Sequence, residues 1–234
     1  AGGRTPLHYA TAAAHGDRVL KILLRRDPAA ALDTDMDGWS GLHYAARNNQ
    51  QDKLRALLEA GANPNGQDVD GWTPMHNCAR HGLSKCLQML LEGKGDMSIV
   101  SRTLETPLHV ACRRGQTECV QLLLNYGLAN DGEVPLGDIL KAKDLRGLTP
   151  AVAISSQNRD TFEMLRLAGA QWEQLRHDAL RGGDQRQARK AWNKAFSASR
   201  TAVMLARPSD GKAGRQRRAS SPSVLSPPGT PSPR

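Results

Sequence analysis

The sequence has few aromatic residues and no long apolar run. Aromatic side chains make up 4% of its 234 residues, which is low for a compact globule and normal for repeat helices that pack through Ala and Leu. No apolar stretch reaches the roughly 18 residues of a membrane span, and no basic-then-apolar leader opens the chain. We therefore expect a soluble protein of the cytoplasm, with the nucleus as the alternative.

Cysteine is also scarce, and none of the four cysteines belongs to a CxxC pair. They stand among Leu, Ala and Val in helical patterns, at Cys78, Cys86, Cys112 and Cys119. This setting predicts reduced thiols that fill a core. Because Cys86 and Cys119 hold equivalent positions one sequence period apart, a redox or metal-binding role remains the alternative.

Catalytic motifs are absent as well. The sequence contains no HExxH, no GxSxG, no Walker loop and no GxGxxG followed by an acidic residue. No nucleophile stands beside a base in a pattern typical of catalysis. The prediction is a protein that is not an enzyme and that binds no cofactor or metal.

Most of the chain has no excess of positive or negative charge. The formal net charge is +9, yet residues 1–170 hold equal numbers of basic and acidic side chains. The entire positive excess lies in residues 171–234. The body of the protein is therefore not expected to bind polyanions in general, whereas the C-terminal segment has the charge to do so.

What the sequence does contain is a short phrase that recurs. Thr-Pro-Leu-His or a variant of it begins at five positions, with spacings of 35, 33, 33 and 43 residues: Thr5, Ser40, Thr73, Thr106 and Thr149. A Leu-Leu pair follows each of the first four copies. This pattern resembles the ankyrin repeat, which has a period of about 33 residues and the motif TPLHxA.

The physical chemistry of the phrase agrees with that resemblance. A Thr hydroxyl caps a helix N-terminus, and Pro is favoured at the next position, so each phrase predicts a helix start. Gly61, Gly127 and Gly169 follow apolar-periodic runs and predict helix stops. The Asp- and Gly-rich stretches 35–38 and 68–71 have the chemistry of turns.

The resemblance implies an all-α repeat fold, an ankyrin-like α-solenoid of helix pairs with β-hairpin fingers. Five repeats are expected, at about 1–34, 35–67, 68–100, 101–142 and 143–170. Lys94 and Leu104 replace glycines that are usual in the motif, which predicts looser turns there. Because the chain starts inside a finger and without an initiator Met, we also expect further repeats upstream.

An insertion of about ten residues falls within 129–143, before the fifth phrase. We expect it to be a mobile, tolerated connection. An ordered loop with a functional role is the alternative.

Histidine recurs once per repeat, at His8, His43, His76 and His109. Imidazole is a common metal ligand. Each ring, however, holds the same motif position, and the resemblance implies that it braces the finger by hydrogen bonds. We expect this structural role for all four rings.

The resemblance also implies that a partner binds on the finger tips and on the concave face of the first helices. The finger position before the helix cap holds Trp39 and Trp72. Because Trp is a frequent hot spot of protein interfaces, these side chains predict partner contacts. The alternative is that each Trp packs within its own finger or against its neighbour.

The first helices predict a basic ladder along the same face, since packed helices lie about 8–10 Å apart. Its members in successive repeats are Arg47, Arg80, His81, Arg113 and Arg114. Arg pairs well with carboxylates, so we expect the ladder to contact an acidic segment of a protein partner. Asp37 and Asp70 of the fingers either share in this contact or neutralise the ladder internally.

Residues 171–206 are expected to form helices that cap the open end of the array. Within them, residues 184–206 place Trp192, Phe196 and Leu205 among five basic residues, a pattern typical of a basic amphipathic helix. The alternative role for this segment is contact with a calmodulin-like groove or an anionic membrane surface.

Residues 207–234 are rich in Ser, Pro, Gly and Arg and predict a disordered tail. Its candidate phosphorylation sites are Ser220, Ser221, Ser226, Thr230 and Ser232. Ser220 follows two arginines, and the other four precede Pro. Phosphorylated Ser220 between Arg217 and Pro222 resembles the pattern bound by 14-3-3-type adaptors. An unmodified linker is the alternative.

Together these features predict a non-catalytic scaffold or adaptor that binds a protein partner on its groove and fingers, regulated by phosphorylation of the tail. The alternative is a regulatory ankyrin module within a larger enzyme or channel. Nucleic acid binding through the basic C-terminus is a third hypothesis. We do not expect it, because that segment lacks interleaved exposed aromatic residues.

Overall fold

The computed structural model describes residues 2–130, 136–153 and 165–166. Four helix–turn–helix pairs and one short helix form within these residues. The pairs are α1 (Pro6–Ala12) with α2 (Asp17–Arg26), α3 (Gly41–Arg47) with α4 (Gln51–Glu59), α5 (Pro74–His81) with α6 (Ser84–Glu92), and α7 (Pro107–Arg114) with α8 (Thr117–Ala129). A 3-10 helix, Pro28–Leu32, follows α2, and α9 is Leu136–Lys141.

The helix pairs stack in two layers. The first helices contact one another in the order α1, α3, α5, α7, and the second helices in the order α2, α4, α6, α8. This arrangement confirms the all-α repeat fold. Of the fifth expected repeat only 143–153 and 165–166 are described, and the expected cap at 171–206 and tail at 207–234 lie outside the described residues.

The recurring phrase starts each first helix through the same bonds. In α5, Thr73 is the N-cap, Pro74 is the first helical residue and His76 closes a capping box. The Nδ1 of His76 accepts from the Thr73 N–H at 3.1 Å, so the proton sits on Nε2, which donates to the Glu105 carbonyl at 2.9 Å. His43 and His109 make equivalent bonds, to the carbonyls of Trp72 and Leu148. The ring of His8 instead bonds the carbonyl of Asp33, just before the finger. Each ring thus ties a first helix to the chain at or next to the following finger.

These neutral histidines make the fold sensitive to acid. Burial lowers the pKa of His76 to about 4, and it also lowers the pKa of His43 and His109. Between pH 6.5 and 4 the unfolded chain therefore binds more protons than the folded protein, so stability falls as the pH drops through 6.5. We expect His76 alone to remove about 2 kcal/mol of stability by about pH 5.

The measurement is the urea midpoint between about pH 7.5 and pH 5, where histidine is the main titrating side chain. A midpoint that stays constant over this range would contradict the assignment of neutral, buried rings.

The core lies between the two helix layers and is filled by Leu, Ala, Met and Cys. All four cysteines are fully buried and free. Burial raises the pKa of Cys119 to about 12 and also raises the pKa of Cys78 and Cys112. A hydrogen bond with Cys78 lowers the pKa of Cys86. The burial of all four thiols supports their interpretation as packing residues.

A buried lysine closes the end of α1. Lys53 of α4 is 2% exposed, and its Nζ donates to the carbonyls of Ala10 at 3.0 Å, Thr11 at 3.2 Å and also Ala13. Burial lowers the pKa of this lysine, and the charge of Asp17 partly offsets the effect. The cation lies where the unpaired carbonyls at a helix C-terminus concentrate negative partial charge.

Each finger is a tight turn closed by one polar side chain. The first position of successive fingers holds Asp35, Asp68, Ser101 and Asp144. Each of these side chains accepts from the backbone N–H groups two and four residues later. The expected β-hairpin fingers are not confirmed, because the described part of the chain shows only one isolated bridge, Thr34–Ser40, and no strand.

Neighbouring fingers are joined by backbone hydrogen bonds. These bonds run from the N–H of Val69, Arg102 and Leu145 to the carbonyls of Asp37, Asp70 and Thr103, at 3.0, 2.9 and 3.0 Å, and the Met36 N–H donates to the Gly2 carbonyl in the same way at 3.2 Å. The turns at Lys94 and Leu104 adopt the left-handed conformation of the glycines that they replace, with φ of 65° and 57°. Looser turns at these two positions stay a prediction.

Two expectations about the region after α7 are wrong. Gly127 does not stop a helix, because α8 continues through it to Ala129. A methyl group at Gly127 would lie 2.8 Å from Leu136 Cδ1, so the absence of a side chain lets α9 pack closely. The insertion is not a mobile connection over Leu136–Lys141, where α9 buries Leu136 and Ile139 in the core. No helix within the described residues is long and apolar enough to cross a membrane.

Candidate partner-binding groove

The predicted partner-binding residues lie on the fingers and on the C-terminal halves of α3, α5 and α7. These helices stand side by side, so residues in the same slot of successive repeats form columns. We call this surface the groove, and its predicted members are Trp39, Arg47, Trp72, Arg80, His81, Arg113 and Arg114. Both Trp rings and Arg113 are half-buried, and the other four side chains are exposed.

Each Trp of the groove is paired with an Arg of the same repeat. The guanidinium of Arg47 lies 5.4 Å from the ring centroid of Trp39, and that of Arg80 lies 5.6 Å from the ring of Trp72. Such cation–π pairs are worth about 0.5–1 kcal/mol at exposed sites. The pairing fixes the direction of two long side chains that would otherwise be free to rotate.

The two Trp rings also pack against their own repeats. Trp39 lies 5.8 Å from the His43 ring and 5.2 Å from the Tyr44 ring, and Trp72 lies 5.7 Å from the His76 ring. The packing alternative is therefore seen for both residues. A half-buried ring that carries an Arg still leaves a surface for contact, so packing and partner binding are compatible.

The fourth repeat departs from this pairing. Glu105 stands in the Trp slot, and both Nη atoms of Arg113 bond its carboxylate, one of them at 3.1 Å. The Arg113 side chain is thus held by an ion pair rather than by a ring. The ladder contains two stacked arginines followed by a neutralised one.

The remaining basic side chains form a cluster around His81. Burial, and then the positive charges of Arg80, Arg47 and Arg114, lower the pKa of His81. Arg47, Arg80 and Arg114 lie in the last turns of α3, α5 and α7, and these helices stand side by side with α5 in the middle. The cluster concentrates positive charge in the middle of the groove, where a carboxylate of a partner would be attracted.

The finger acids do not neutralise this cluster. Asp37 and Asp70 are exposed, and within the described part of the chain their carboxylates take part in no ion pair. Their backbone carbonyls bond the next finger instead. Internal pairing with the ladder is therefore not observed.

Sequence reasoning missed a second network, at the N-terminal end of the groove. The hydroxyl of Tyr44 donates to Asp35 Oδ2 at 2.5 Å, and Arg4 lies 3.6 Å from the same carboxylate and 5.3 Å from the Tyr44 ring. Burial, the hydrogen bond and the charge of Asp35 raise the pKa of Tyr44 to about 12. The sequence signal for this network is Tyr44, which directly follows the motif residue His43. This motif position was not among the predicted sites.

The other predicted sites cannot be placed. The candidate phosphorylation sites Ser220, Ser221, Ser226, Thr230 and Ser232 lie outside the described residues, as does the basic segment 184–206.

The repeats match known family models. A model of three ankyrin-repeat copies matches residues 11–102, and a single ankyrin-repeat model matches residues 103–133. The two matches together span residues 11–133, just over half of the chain. No curated protein shows a significant match to the sequence.

Proposed function

The chain belongs to the ankyrin-repeat family, and from that premise we propose that it is a scaffold or adaptor that binds an acidic segment of a protein partner in the groove. Ankyrin repeats are general protein-interaction modules and are typically non-catalytic. The single observation that carries the proposal is the exposed cluster of Arg47, Arg80 and Arg114 around His81, which has no acidic partner among the described residues.

The stacking of Arg47 and Arg80 on tryptophans supports this assignment. A guanidinium that is already held on a ring loses less rotational freedom when it binds a carboxylate, so more of the contact energy appears as affinity. Interfaces are also enriched in Trp and Arg at their energetic centres.

The experiment compares partner recovery from a cell lysate by the intact chain and by an Arg47→Glu/Arg80→Glu variant. We expect the variant to lose the partner, and the affinity measured with the purified partner to fall by about tenfold or more, because charge reversal at a buried contact costs several kcal/mol. Circular dichroism must first show that both proteins are equally helical.

A matched variant with the same charge change outside the groove is Arg18→Glu/Arg55→Glu, since both residues are exposed on the second helices. This variant should retain the partner. Equal loss in both variants would show a non-specific charge effect, and retention in both would place the binding site elsewhere.

A further inference from the structure

One column of the groove holds a buried side-chain nitrogen that has no hydrogen-bond acceptor among the described residues. The residue after the motif His is the exposed Tyr9 in α1, and it is Tyr44 in α3, Asn77 in α5 and Val110 in α7, where the side chains are 7%, 5% and 0% exposed. Tyr44 satisfies its hydroxyl through Asp35, and Val110 has no polar side-chain atom. In this column, Asn77 is the residue that has a buried polar atom without a hydrogen-bond partner among the described residues.

The amide of Asn77 makes no hydrogen bond to any residue in the described part of the chain. Its Nδ2 is buried without an acceptor. A buried polar group without a partner carries a free-energy cost in the folded protein. Since valine fits the equivalent slot of α7, an apolar residue would avoid this cost. The amide is therefore a candidate for a group whose partner comes from another molecule.

Asn77 also lies beside the charged part of the groove. Arg80 and His81 follow it by three and four positions on α5, so the three side chains share one face of the helix. A ligand bound to the Arg80 guanidinium would therefore lie on the helix face that also carries Asn77. A half-turn about χ2 exchanges Nδ2 with Oδ1, so either atom can face such a ligand.

The chemistry of the amide selects the kind of ligand. A carboxamide offers an NH2 group that donates and an oxygen that accepts, which match the C=O and the N–H of a peptide group. In a helical partner those groups already bond each other, whereas an extended chain leaves them free. Neighbouring first helices stand about 8–10 Å apart. An extended chain in the polyproline II conformation has three residues per turn and advances about 3.1 Å per residue. Carboxylates three residues apart would thus lie on one face of the peptide, about 9 Å apart, and meet successive arginines.

We propose that Asn77 bonds the main chain of an extended peptide whose acidic side chains, three residues apart, bind Arg47 and Arg80. This inference rests on the proposed function and names the class of segment that the groove accepts. The unmet amide is then a specificity element that weakens the free protein and strengthens the complex.

The test begins with a phage-displayed library of random peptides of roughly twelve residues, long enough to span the groove at about 3.3 Å per residue. Peptides selected on the intact chain are synthesised, and their affinities are measured by fluorescence anisotropy for the intact chain, Asn77→Val and Arg47→Glu/Arg80→Glu. We expect acidic residues at a spacing of three. We also expect Asn77→Val to weaken binding by about tenfold, the loss for a buried hydrogen bond.

Two further readouts separate this role from a structural one. Asn77→Val should raise the melting temperature of the free protein by a few degrees, because it removes an unpaired buried group. N-methylation of one backbone amide of the peptide should weaken binding to the intact chain and have no effect on binding to Asn77→Val.

The outcomes distinguish the inference from the proposed function. Peptides that depend on Arg47 and Arg80 but bind Asn77→Val equally well would overturn the role of Asn77 and leave the groove assignment standing. A lower melting temperature for Asn77→Val would also overturn it, since the amide would then support the fold. If no selected peptide depends on the two arginines, both proposals fail.

Discussion

Replacing Lys53 with methionine is expected to destabilise the protein by about 3 kcal/mol, the cost of leaving buried carbonyls without donors. Methionine has a similar length and fills the same space, so the loss reflects the missing ammonium group rather than a cavity. The carbonyls of Ala10 and Thr11 would lose this donor, whereas the Ala13 carbonyl would keep the side chain of Gln50. The measurement is the urea midpoint, followed by circular dichroism.

Lys85→Met is the matched control, because Lys85 is exposed near the start of α6 and donates to no described residue through its Nζ. Its midpoint should stay within experimental error of the intact chain. Equal stability of Lys53→Met and Lys85→Met would show that water replaces the ammonium at no cost, and the end of α1 would then not depend on Lys53.

Gly71→Ala is expected to cost about 3 kcal/mol through two additive effects, backbone strain and a steric clash. Gly71 has a φ of 76°, and a left-handed conformation costs about 1–2 kcal/mol for a residue with a Cβ. In addition, the new methyl group would lie 2.8 Å from the backbone nitrogen of Arg102, which donates to Asp70 in the bond that joins two fingers.

Gly147→Ala separates the two effects. Gly147 has the same φ of 76°, but a methyl group there would meet no atom of a described residue within 4 Å. We expect this variant to lose only the strain energy, about 1.5 kcal/mol. If both variants lose the same free energy of unfolding in urea, the close approach of neighbouring fingers at Gly71 makes no contribution.

The repeat and its helix starts could be predicted from sequence because their determinants are local. Thr73, Pro74 and His76 stand within four positions, and the bonds of the capping box follow from that spacing. The period of the phrase then places neighbouring helices side by side without any knowledge of distant contacts.

The support of α1 by Lys53 could not be predicted, since the lysine contacts carbonyls about forty residues earlier in the chain. The equivalent slot in the next two repeats holds cysteine, at Cys86 and Cys119. When one repeat alone has a lysine at a position of its helix, the sequence does not show whether that lysine is buried or exposed to solvent. Its burial depends on how two repeats pack, which no local pattern encodes.

The state of the basic ladder was also only partly predictable. Sequence spacing placed Arg47, Arg80 and Arg113 in one column, but their partners depend on the finger residue that stands beside each of them. Trp39 accepts a guanidinium on its ring, whereas Glu105 neutralises one. The sequence left two roles open for Trp39, packing within its repeat and contact with a partner. A Trp ring with one packed face and one exposed face can serve either role, and the sequence pattern is the same for both.

In three successive repeats a finger residue is paired with the arginine eight positions later. A change of one finger side chain, from an aromatic ring to a carboxylate, converts a stacked cation into a neutral pair. Repeats that diverge after duplication can therefore change the charge pattern of this surface one pair at a time. Under the proposed function, the order of these pairs along the array, rather than the net charge of the domain, sets which partner is recognised.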